Sequence, residues 1–73
     1  MKNFQTKKVN GETTMVVNNI EASPILELYI KAKKEGMNFA VNTDTGFQFW
    51  PLDKIAALYN IQDTSIITKA INN

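Results

Sequence analysis

The sequence predicts an α+β domain with the element order ββαββαα, and three observations lead there. Asn10-Gly11 separates two extended, β-prone runs. Ser23-Pro24 and Gly36 bracket an amphipathic segment. After Pro51 the apolar period changes from two to about 3.6 residues.

The first hairpin runs from Phe4 to Val9 and returns from Thr13 to Ile20 through Met15-Val16-Val17. Asn-Gly suits its turn because both central positions of a type I′ turn need positive φ. A helix follows, with Ser23 as N-cap, Pro24 at the first position, where its missing N–H costs nothing, and Gly36 as a left-handed stop. Ile25, Leu28, Tyr29 and Ala32 form its inner stripe, widened by Leu26 and Ile30. Glu27 and Lys31 stand at i,i+4 in the favourable order, and Lys31, Lys33 and Lys34 complement the helix dipole.

A second hairpin alternates Met37, Phe39 and Val41 with Asn38, Ala40 and Asn42. It turns through Asn42 to Gly46, then puts Phe47 and Phe49 on one face and Gln48 and Trp50 on the other. Pro51 ends the strand because it cannot donate to a ladder. Ile55, Ala56, Leu58 and Tyr59 then form one short helix, and Ile66, Ile67, Ala70 and Ile71 the stripe of another capped by Asp63 or Thr64. The chain reads as one domain, with a hairpin–helix–hairpin part over 1–51 and a helical pair over 52–73.

Composition narrows the chemistry. There is no Cys or His, which removes disulfides, thiolate nucleophiles and the commonest general base and metal ligand. The carboxylates are scattered, and each of the three glycines has a turn or cap to explain it, so neither a metal cage nor a phosphate loop is expected. The reading is a non-enzymatic binding protein without metal or cofactor. No apolar run approaches the roughly 20 residues that span a membrane, and the first ten residues are polar, so a cytoplasmic location is expected.

Leu52 to Asn72 carries the one recognisable motif. Ala56 lets a second helix cross closely, Asn60 tolerates positive φ at a turn, and Ile61 plugs the space between helices. Thr64 and Ser65 can satisfy the free N–H groups that open the second helix. These positions resemble the helix-turn-helix family of DNA-binding proteins, of the small phage or bacterial regulator type, over about twenty residues. The resemblance implies a transcriptional regulator whose second helix enters a major groove, with Thr64, Ser65, Thr68, Lys69 and Asn72 facing bases or phosphates. It also implies dimerisation, one reading head on one half-site being weak.

Two departures bear on that reading. Lys69 stands where the family prefers an apolar residue unless one residue is inserted at Gln62 or Asp63. The motif is also neutral, with Lys54 and Lys69 against Asp53 and Asp63, and the whole chain has net charge +1 with no Arg. Phosphate contacts and base readout lean on such cations. A protein-binding module of phage or mobile-element type, an inhibitor or antirepressor, is therefore the alternative. Trp50 or an exposed strand edge would be its anchor, although a lone Trp in so small a domain is as readily part of the core.

Overall fold

The computed structural model describes residues 3–18 and 24–73. Its elements are β1 (Phe4–Val9), β2 (Glu12–Val17), α1 (Ile25–Lys34), β3 (Asn38–Thr43), β4 (Gly46–Phe49), α2 (Leu52–Leu58) and α3 (Ser65–Asn72). The expected ββαββαα order is the observed one. The proposed Ser23 cap and the end of the second strand at Ile20 lie outside the described residues. No helix among the described residues is long and apolar enough to cross a membrane.

Both hairpins form as their turns dictate. Asn10 and Gly11 take φ values of 53° and 84°, and Val9 pairs with Glu12 across them. The second turn is tighter than Asn42 to Gly46: Thr43 pairs with Gly46, and the Thr43 hydroxyl donates to the Gly46 carbonyl at 2.6 Å. The hairpins join into one four-stranded sheet in the order β1-β2-β3-β4, with β2 and β3 parallel and α1 as the crossover. A parallel contact cannot be closed by a short turn, which is why a helix intervenes.

The three helices cover one sheet face. Met15, Val17, Phe39 and Val41 point into them and meet Ile25, Leu28, Tyr29, Ala32, Ile55, Ala56 and Ile67. Tyr29 and Phe39 stack edge-on at 5.4 Å. Lys31 pairs with Glu35 at 3.2 Å, one turn beyond the expected Glu27 partner.

Two helices end in the same way. The N–H of Gly36 donates to the Lys33 carbonyl and that of Met37 to the Ala32 carbonyl. At the end of α2, Asn60 donates to Ala57 and Ile61 to Ala56. Gly36 has φ 73° and Asn60 φ 58°. Both are Schellman stops, with a left-handed residue followed by an apolar one that turns back onto the core. The sequence spacing is identical, Ala32 with Gly36-Met37 and Ala56 with Asn60-Ile61.

Among the described residues the other sheet face carries no helix, yet Thr14, Val16 and Ala40 on it are fully buried. Lys7 and Phe47 explain this. They lie on the two outermost strands, three spacings or about 14 Å apart across a flat sheet, and Lys7 is level with Asn38 while Phe47 is level with Asn42 further along it. The Lys7 ammonium nevertheless sits 4.7 Å from the Phe47 ring centroid. The sheet must curl toward this side, so that its edges and the Phe47–Phe49 pair roof the small central residues.

Candidate functional site

The helical pair holds every residue expected to face DNA, and α3 sorts them by angle. Ile67 is 2% exposed and marks the inner side, with Ala70 and Ile71 beside it. Each residue turns about 100° around the axis. Ser65, Lys69 and Asn72 therefore centre the outer side, Thr68 flanks them, and all four are exposed. Thr64 does not join them. It is half-buried on the inner flank, and its side chain makes no capping bond.

Asp63 caps α3 instead. Its Oδ1 accepts the Ser65 N–H at 3.1 Å and the Ser65 hydroxyl at 2.7 Å. Those two bonds hold the Asp63 carboxyl below its ordinary value, so it stays an anion. The negative charge suits the positive end of the helix dipole. It also stands where an inserted reading helix would first meet phosphate. Ser65 spends its hydroxyl on this cap, and Thr68 directs its own to the Thr64 carbonyl at 3.4 Å. Lys69 is the only cation of α3.

Two expected core positions lie outside. Ile66, placed in the inner stripe by its spacing, is 62% exposed, and Leu58 is 49% exposed. With Ile67 centred inward, Ile66 is turned a quarter-circle or more away. Tyr59 is partly exposed as well, but its hydroxyl accepts the Leu26 N–H at 3.1 Å. That bond ties the end of α2 to the first turn of α1, where Pro24 offers no side-chain cap.

Trp50 is not a free anchor. It lies on the inner face of the sheet, packs against the core, and is covered by the Lys54 ammonium 4.8 Å from its ring. The exposed aromatic of that hairpin is Phe49, at 50%. Its alternation with Trp50 was legible in the sequence; which face the helices would cover was not.

No family model, curated protein or solved structure matches this chain. The likeness to helix-turn-helix proteins therefore stands on its residues alone. Ala56, Asn60 and Ile61 are the acceptor, left-handed residue and apolar plug of a Schellman stop. Ala32, Gly36 and Met37 repeat that arrangement before β3. Helix termination accounts for these three matches, so they do not by themselves separate a reading head from another helical pair.

Proposed function

We propose that this protein is a non-enzymatic protein-binding module that engages its partner through the surface of α2 and α3. The observation that carries the reading is the exposure of large apolar side chains there. Among the described residues the exposed large hydrophobics are Phe49, Leu58, Tyr59 and Ile66, and three of the four belong to this helical pair. Leu58 and Tyr59 close α2 and Ile66 lies in the first turn of α3, so they flank the one turn between the helices. Exposed apolar side chains that share a surface are a mark of interaction sites. Lys69, the exposed polar residue of α3 nearest Ile66 around the helix, supplies a polar edge to that surface.

DNA reading by α3 is the second reading, and its outward set of Ser65, Thr68, Lys69 and Asn72 favours it. Against it stand the Asp63 anion at the tip of the helix and the single cation along it.

The two separate in one pair of measurements. Polarisation with random duplex DNA at low salt is expected to give no steeply salt-dependent binding. A photo-crosslinking residue in place of Ile66, introduced in the cells that make the protein, is expected to give a discrete protein adduct, and one in place of Asp44 none. Salt-dependent DNA binding that is lost in Thr68→Ala and Lys69→Ala would instead make α3 a reading helix.

A further inference from the structure

The outer edge of β1 is a second place where the chain can bind, independent of the helical pair. The Asn18 N–H donates to the Asn3 carbonyl at 2.8 Å, which fixes the hydrogen-bonding parity of the β1–β2 ladder. Paired residues alternate between exchanging both backbone bonds and exchanging none. Gln5, Lys7 and Val9 therefore bond to β2. Phe4, Thr6 and Lys8 turn their N–H and C=O groups outward, and among the described residues no strand lies beyond them.

A cleft of about 570 Å³ runs beside this edge on the helical side. Phe4, Thr6, Glu12, Thr13 and Asn38 form its sheet wall, Lys31 and Glu35 of α1 its opposite wall, and Met37 lies with them. Its two carboxylates, Glu12 and Glu35, are held by Asn38 and Lys31. Its volume falls within the roughly 300–1,000 Å³ of small binding pockets. The outward amides and the cleft share residues: side chains of an added strand lying opposite Phe4 and Thr6 would hang over it. The strand itself, Phe4 to Val9, carries Lys7 and Lys8 and no carboxylate.

We propose that β1 accepts an extended peptide segment as a fifth strand, with carboxylates opposite Lys7 and Lys8 and aliphatic side chains opposite Phe4 and Thr6. Main-chain bonds supply affinity in such additions, and alternate side chains supply choice. The charge decides the occupant. Two copies joined by their β1 edges would join two strands that carry lysines and no carboxylate, whereas an acidic segment offsets that charge. Lys8, on the helical side, is the one it meets directly, since the Lys7 ammonium lies over Phe47 on the other face. Lysines on edge strands also deter promiscuous pairing, and here the same two charges select the partner that can pair.

The test uses a capped peptide containing Glu-Glu-Val-Thr-Val, which antiparallel pairing lays opposite Lys8 to Phe4, and a control with both Glu replaced by Lys. The acidic peptide is expected to slow amide exchange at Phe4, Thr6 and Lys8 while leaving Gln5 and Lys7 as they were. Lys8→Glu is expected to weaken binding about tenfold or more, and Thr6→Pro similarly. Thr6→Pro removes only an outward N–H, so the β1–β2 ladder and the native amide spectrum are expected to survive it. Three results would overturn the proposal: no protection at millimolar peptide, equal binding of the Lys control, or a doubled mass with those amides already protected in the protein alone. The last would assign the edge to a second copy. Each outcome is independent of cross-linking at Ile66.

Discussion

Ile66 and Ile67 are adjacent, identical and opposite in fate. Replacing Ile67 by Ala removes a side chain that is 2% exposed and packed into the main core. Truncations of this kind cost about 2–5 kcal/mol, as lost transfer energy plus the cavity left behind. A 73-residue domain has about 4–11 kcal/mol in all, so the loss is a large share of it. At about 4–8 °C per kcal/mol for a domain of this size, the midpoint should fall by about 8 °C at the least. Ile66→Ala starts from a side chain that is 62% exposed. Its effect should stay within about 0.5 kcal/mol, because the small lost contact is offset by the better helix propensity of Ala. Urea titration followed by far-ultraviolet dichroism reads both. Equal losses, or a larger loss at Ile66, would mean that α3 is rotated about its axis from the orientation described. The surface proposed for partner binding would then be wrong as well.

Asn60→Gly should stabilise the fold by up to about 1 kcal/mol, because Gly takes positive φ without the strain of a Cβ; a decrease in the urea midpoint would show that the Asn side chain has a role of its own. Tyr59→Phe should cost about 0.5–1 kcal/mol and speed exchange of the Leu26 amide, whose N–H loses its acceptor. Unchanged exchange at Leu26 would show that the bond does not persist in solution. The Asp63 carboxyl is held below its ordinary value of 3.8 by the Ser65 hydroxyl and N–H. A lowered folded-state pKa gives stability that is present above the unfolded value and lost as pH falls through the folded one. The midpoint difference between the protein and Asp63→Ala should therefore be largest near neutral pH and shrink below about pH 4. A difference that stays constant down to pH 2 would show that the charge plays no part in the cap.

The element order was legible because each boundary has its own chemistry. Asn10-Gly11 demands a hairpin, Gly36 stops a helix, and Pro51 ends a ladder. The joining of the hairpins was not legible, since alternation within a strand says nothing about which strand will lie beside it. One hint was present: Met15-Val16-Val17 breaks the alternation, as expected of a strand buried on both faces. Its cause, the curl that carries Lys7 over Phe47, involves residues forty positions apart. The helical pair was legible as helices but not as a surface. An apolar stripe four residues wide on a helix of eight fits more than one rotation, and packing against α1 chose the one that leaves Ile66 outside. The motif is ambiguous for a related reason. A left-handed residue followed by an aliphatic one ends any helix well, so it marks a stop before it marks a reading head.

The parallel contact of β2 with β3 also sets an order of assembly. Each hairpin is local and can form on the scale of microseconds, as can the first turns of α1. The seam between the hairpins must wait until the segment from Asn18 to Met37 has closed its loop, because Val17 meets Val41 only then. Contacts that need such closure dominate the folding barrier. Weakening Val17 or Val41 should accordingly slow folding, and weakening the Asn10-Gly11 turn, made before the hairpins meet, should slow it too with little effect on unfolding. The two halves of this sheet are built early and apart, and the rate at which the chain becomes native is the rate at which they meet.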